Sequence, residues 1–136
     1  MESFETSPED GWEIRPFVTP AAFEEWLDLH HDTAPGVWVR IAKKGRGIPS
    51  LTLEEAIEVL LCFGWIDSKG RRLDDDWFLL RCQPRRPRSN WSERNQRIVA
   101  RLVEAGRMRP AGLARVEQAR SEGRWGSGDP EPGPRS

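Results

Sequence analysis

Apolar positions along the chain follow two periods, and the switches between them set the expected elements. Phe23, Trp26, Leu27 and His30 fall at i, i+3, i+4 and i+7 and predict a helix ending near His31. Thr19 suits its N-cap, and Pro20 its first turn, where a missing N–H is no loss. After a Pro35-Gly36 turn, Val37-Trp-Val-Arg-Ile-Ala42 alternates and is rich in β-branched residues, which predicts a strand. Thr52-Leu-Glu-Glu55 is a capping box that opens a second helix. Ala56, Val59, Leu60 and Phe63 share one face of it, Leu53, Ile57 and Leu61 widen the stripe, and Gly64 ends it. Strand-type runs follow at Trp65-Ile-Asp67 and Trp77-Phe-Leu-Leu-Arg-Cys82, with a turn expected at Ser68–Arg71. A third helix is expected from Ser89 or Asn90 through Arg101 to Ala105, with Asn90 and Glu93 as a capping pair and Ile98 and Leu102 buried. Pro110 opens a last helix, with Leu113, Val116 and Ala119 inward and Gly123 at its end.

These elements make an α+β class: a small, mostly antiparallel sheet of about three strands packed with about four helices. One domain is expected over residues 17–125, preceded by a flexible acidic arm at 1–16 and followed by a disordered Pro/Gly-rich tail at 126–136. A chain of 136 residues can bury roughly two thirds of its unfolded surface. Seven Trp and five Phe must supply much of that core, and no Tyr is present.

Charge changes the picture more than length does. The net charge is −1, yet residues 1–80 carry 8 basic and 16 acidic side chains, whereas residues 81–124 carry 12 Arg and four Glu. The two halves attract one another, or else the basic half offers an anion-binding face. No apolar run approaches the ~20 residues of a membrane span, and the first ten residues are acidic, so a cytoplasmic protein without membrane insertion is expected. Cys62 and Cys82 lie within apolar stretches, which suits buried reduced thiols.

Several chemistries are poorly served by the residue spacing. His30 and His31 are adjacent, face different sides of a helix and have no nearby ligand partner, so no metal site is expected. The Lys43-Lys44-Gly-Arg-Gly loop lacks the Lys-Ser/Thr ending of a phosphate-cradling P-loop. Asp74-Asp75-Asp76 lacks the ligand spacing of a calcium loop and reads as a solvated turn facing the arginines. No cofactor is implied.

The segments Gly36-Val-Trp-Val-Arg-Ile-Ala-Lys-Lys44, Glu55-Ala-Ile57, Leu61-Cys-Phe-Gly-Trp-Ile-Asp67, Gln83-Pro-Arg-Arg-Pro-Arg-Ser-Asn-Trp-Ser92 with Asn95, and Gly106-Arg-Met-Arg-Pro-Ala-Gly112 run in order along most of the chain. Together they resemble the YdeI/OmpD-associated family, also labelled bacteriocin-protection proteins. The resemblance implies a small bacterial cytosolic protein linked to envelope and antimicrobial-peptide stress, with no catalytic mechanism attached. The chain departs from it after Trp125, where members continue into an aromatic stretch and a further helical region.

One region concentrates the candidate chemistry. Asp67 at a strand end, the proline-stiffened guanidiniums of Arg85, Arg86 and Arg88, and a helix start at Ser89 resemble a preformed anion site. Trp65 and Trp91 would be stacking walls, Asn95 lies on the helix beyond, and Lys43 or Lys44 would reach in from a facing loop. A small anionic or phosphorylated ligand, or a protein partner, is the expected occupant. The competing expectation is a buried Asp67–arginine network with core tryptophans. Two other functions stand beside these. Arg94, Arg97 and Arg101 share a broad helix face that could meet nucleic acid, although the acidic first half opposes it. An enzyme would have to use Asp67 as its acid or base.

Overall fold

The computed structural model describes residues 5–86 and 88–125. It is α+β, with four helices and one four-stranded sheet. Strand β1 (Ile14–Pro16) is followed by α1 (Pro20–His30), β2 (Val37–Ala42), α2 (Leu53–Cys62), β3 (Trp65–Arg72), β4 (Trp77–Pro84), α3 (Glu93–Glu104) and α4 (Pro110–Ser121). Internal contacts gather into two units: residues up to Leu60 together with Ile66–Pro84, and Leu61–Trp65 together with Arg85 onward. The division runs through α2 and β3, and most of the basic second half of the sequence falls in the second unit.

The first unit carries the sheet, in the order β1-β2-β4-β3. β2 and β4 run antiparallel, with Trp38 opposite Arg81 and Val39 opposite Leu80. The fourth strand is the addition to the expected three: β1 pairs parallel with β2, Ile14 facing Trp38 in register. It comes from the stretch expected to be a loose arm. Residues 5–16 are instead tied down locally, because Asp10-Gly11 is a turn signal and Gly11 adopts φ 75, where only glycine is at ease. The Ser7 and Trp12 backbones bond at 2.8 Å, Gly11 N–H reaches the Ser7 carbonyl at 2.7 Å, and Thr6 bridges Glu13. Ile14, Trp38 and Leu79 then pack together with Trp12 against them.

Helix starts are set by short side chains where the sequence pattern placed two of them. Thr19 Oγ1 accepts the Ala22 N–H at 3.1 Å, and the Thr52/Glu55 box closes in both directions at 3.0 and 3.1 Å. α1 buries Phe23, Trp26 and Leu27, and Phe17 stacks on Phe23 at 4.9 Å. Ile57, Val59 and Leu60 of α2 are buried, whereas Leu53 at its first turn is exposed.

Two boundaries and one buried face differ from expectation. β3 does not turn at Ser68 but continues to Arg72, and the reversal falls on Leu73–Asp76. The cause is Asp74, whose Oδ1 accepts the N–H groups of Asp76 and Trp77 at 2.9 and 3.0 Å and so builds the turn. The acidic run is indeed exposed, but its cations are Arg72, bonded to Asp75, and Arg46, 3.6 Å from Asp76. Ser92, not Ser89 or Asn90, caps α3, its Oγ accepting the Asn95 N–H at 3.0 Å. In α4 the inward set is Gly112, Val116 and Ala119, and Leu113 is 41% exposed.

Gly112 has a specific reason for facing inward. A Cβ there would sit 2.3 Å from the Cys62 carbonyl oxygen and 2.9 Å from that of Leu61, so the first turn of α4 touches the end of α2 backbone to backbone. The Arg109 N–H closes the same junction by donating to the Cys62 carbonyl at 3.0 Å. Gly64 completes it at φ 75, with Ala111 O 3.1 Å from where its Cβ would be. Two of the sequence segments quoted above, Leu61–Asp67 and Gly106–Gly112, thus meet at one contact. Gly112→Ala must push the helices apart and is expected to cost about 1–3 kcal/mol, read from urea unfolding at constant slope. An unchanged midpoint would contradict this close approach.

Candidate functional site

The arginines expected to present a binding fork divide between two duties. Arg85 is only 2% exposed. Its Nη1 donates to Ser89 Oγ at 2.9 Å and to the Asn90 carbonyl at 3.1 Å, while its guanidinium carbon lies 3.7 Å from the centre of the Trp91 ring. The side chain therefore closes the loop from 85 to 91 upon itself. Arg124, in the same unit, donates to the Ser89 carbonyl at 2.5 Å, and Trp125 meets Trp91 edge-on at 5.1 Å. Trp65 and Trp91, expected as stacking walls, are both buried, and the Trp91 ring is already engaged by the Arg85 guanidinium and by Trp125. Asn95 contributes its backbone N–H to the Ser92 cap. Pro87, one of the two prolines expected to stiffen this loop, lies outside the described residues.

Arg86 and Arg88 are exposed. Arg88 borders a depression of about 330 Å³ with Glu122 and Arg124. That depression already contains a carboxylate: Arg124 bonds Glu122 at 2.5 Å, and this hydrogen bond, with the charges of Arg124 and Arg88, holds the Glu122 carboxyl below the usual range. An incoming anion would meet an ionised Glu122 there.

The remaining expected residues belong to the first unit. Lys44 is exposed, Lys43 is half-buried, and the Lys43 N–H donates to the Asp76 carbonyl at 2.8 Å. Asp67 is half-buried on β3. Burial first, and then the nearby Asp67 carboxylate, push the Cys82 thiol well above its ordinary value, so this sulfur is inert as a nucleophile. Cys62 and Cys82 are both free thiols. Among the described residues no group of three or more His, Cys, Asp or Glu is set to hold a metal ion.

A concavity of the first unit lies away from the residues expected to bind. A cleft of about 550 Å³ is lined by Trp12, Glu13 and Arg15 from the β1 region, Trp26 and His30 from α1, and the loop Thr33–Gly36. Each wall has a cause. Trp26 and His30 are one turn apart on α1 and their rings stand 4.7 Å apart. Alternation along the extended chain puts Glu13 and Arg15 on one side, where Arg15 Nη1 meets Glu13 Oε1 at 3.1 Å. Trp12 is held from β4: the Arg81 guanidinium carbon is 3.9 Å from its ring centre.

Arg81 is itself fixed by Asp10. The Asp10 carboxylate accepts Arg81 Nε at 3.0 Å, both its oxygens accept Trp38 Nε1 at 3.1 and 3.2 Å, and Oδ1 accepts the Trp12 N–H at 3.0 Å. Burial alone would raise this carboxyl's pKa. The Trp12 amide, the Trp38 indole and Arg81 outweigh it, and the net shift is downward. Gly36 completes the cleft wall because a Cβ there would lie 2.2 Å from the Trp12 ring.

A family model matches residues 15–115 of the chain. The chain belongs to DUF8412, a domain of unknown function. The match spans α1 to the first half of α4 and includes Arg15, Trp26 and His30 of the cleft, while Trp12 and Glu13 precede it. No curated protein and no solved structure matches this DUF8412 chain. Among its described residues no helix is long and apolar enough to cross a membrane.

Two outcomes follow from this geometry. Asp10→Asn is expected to lower stability by about 1.5–3 kcal/mol at neutral pH, since it removes a charged acceptor from three donors. The folded carboxyl ionises below its ordinary 3.8, so its contribution is fully present above that pH and is lost as pH falls through the folded value. Urea unfolding of both proteins should therefore show a gap that narrows steadily below about pH 4. A gap independent of pH would sink the assignment. Gly36→Ala should displace Trp12, seen as increased acrylamide quenching and a lowered melting temperature, and identical quenching in both proteins would contradict the packing described.

Proposed function

We propose that this chain is a small-molecule binding protein rather than a catalyst, and that its site is the tryptophan-lined cleft of the first unit. One observation carries the reading: the cleft measures about 550 Å³ and combines two indoles and an imidazole with a single pair of opposite charges. Ligand sites typically span about 300–1,000 Å³ and have mainly apolar and aromatic linings with a few placed polar groups.

The expected anion fork is the weaker location. Arg85 is spent on its own loop, and Glu122 occupies the depression beside Arg88. The broader setting rests on the resemblance to the YdeI/OmpD-associated family, which supports a bacterial, cytosolic role in tolerance of envelope or antimicrobial-peptide stress. Two free, buried thiols agree with a reducing compartment.

Filling the cleft from its rim tests the reading. Thr33 is exposed at the rim, so Thr33→Trp should fold normally and occlude the space. A panel of small aromatic, aliphatic and sugar ligands at millimolar concentration should yield compounds that raise the melting temperature and change tryptophan emission of the wild-type protein, with both responses lost in the variant. Absence of any response from the whole panel, or equal responses in the two proteins, would overturn it.

A further inference from the structure

Resting on the cleft as the binding site, we propose that its ligand is a zwitterionic aromatic compound of the α-amino acid class, held by Glu13 and Arg15 at its charged end and by Trp12, Trp26 and His30 around its ring. The charges at the site define this class. Glu13 and Arg15 both line the cleft, two residues apart on an extended segment, and their side chains meet at 3.1 Å. They are 45% and 23% exposed, so the pair sits at the mouth in reach of solvent and ligand alike.

A ligand with only a carboxylate would gain Arg15 while setting its charge against Glu13, and one with only an ammonium would do the reverse. A compound carrying both groups on one carbon sets its ammonium against Glu13 and its carboxylate against Arg15. Four charges then alternate in sign around a small ring, which is the arrangement with every near neighbour attractive. Arg offers the planar paired donors that suit a carboxylate.

The rest of the lining decides the side chain. Beyond the ion pair the cleft is walled by Trp12, Trp26 and His30, and its remaining surface is the uncharged Thr33–Gly36 loop and Gly11. Aromatic rings favour offset or edge-on contact with other rings and gain from burial, so an aromatic side chain is preferred over an aliphatic one. The volume is ample for a free amino acid and far too small for a folded partner. Trp12 is immobilised by Arg81 and by Gly36, so this wall is formed before the ligand arrives, which favours affinity.

Isothermal titration of the full chain with four probes separates the possibilities: L-phenylalanine, phenethylamine, 3-phenylpropionate and L-alanine. L-Phenylalanine is expected to bind at least tenfold more tightly than each of the other three. Glu13→Gln and Arg15→Lys should each reduce that affinity severalfold or more with an unchanged circular dichroism spectrum, and Thr33→Trp should abolish it. Should the amine or the acid alone match the amino acid, with Thr33→Trp abolishing both, the cleft stands as a binding site and the zwitterion assignment falls. Equal binding of L-alanine removes the aromatic part. If no probe binds, and the broader panel of small molecules is also silent, both the ligand class and the site are wrong. Because the ligand series is read on the wild-type protein, a variant that fails to fold leaves the decision intact.

Discussion

Arg81 stands opposite Trp38 across the antiparallel pair of β2 and β4, and its guanidinium carbon lies 3.9 Å from the centre of the Trp12 ring. The Trp12 wall of the cleft depends on this contact. A guanidinium over an indole gains from the ring quadrupole, and more so when partly removed from water. The cation is not left to choose its position: Asp10 holds its Nε, Gln83 accepts from its Nη1 at 2.5 Å, and the Asp10 carboxylate also receives the Trp38 indole. A single aspartate in a tight turn thereby ties an N-terminal segment, two strands and two tryptophans into one arrangement. That arrangement turns residues 5–16 from a polar arm into a strand and a pocket wall.

The same physics serves a different purpose in the second unit. Arg85 also lies over a tryptophan, but its Nη1 donates to Ser89 Oγ and to the Asn90 carbonyl of its own loop, and Arg124 donates to the Ser89 carbonyl. Planar donors suit the bonding of irregular backbone as well as they suit phosphate. A proline-flanked arginine cluster is therefore ambiguous until burial is known. What distinguishes Glu13 and Arg15 in the first unit is that their charges meet at the mouth of a concave, aromatic space rather than inside a closed loop.

Legibility followed the range of the interaction responsible. The Thr19 cap, the Thr52/Glu55 box and the β2 strand were readable because a few neighbouring residues suffice to form them. The turn at Asp74 was misplaced to Ser68 because Gly70 is a strong turn residue, whereas the observed reversal uses an aspartate side chain on its own backbone. Leu113 was expected inward on periodicity, yet the junction with α2 turns Gly112 inward instead, since only a residue without a side chain permits helices to touch backbone to backbone. The cleft was missed for a related reason. Asp10-Gly11 and the alternating Trp12–Pro16 stretch carried a local strand signal, but the excess of acids around them reads as solvation when partners are unknown.

The sequence by itself determined the α+β class, most element positions and the division of charge. These rest on periodicity, capping and composition, which are properties of neighbours along the chain. Tertiary structure alone decided which arginines are architecture and which tryptophans line a cleft. The reason is that a guanidinium or an indole has the same local propensities in either role, and only residues far away in sequence, Asp10 for Arg81 and Gly36 for Trp12, determine what its faces meet.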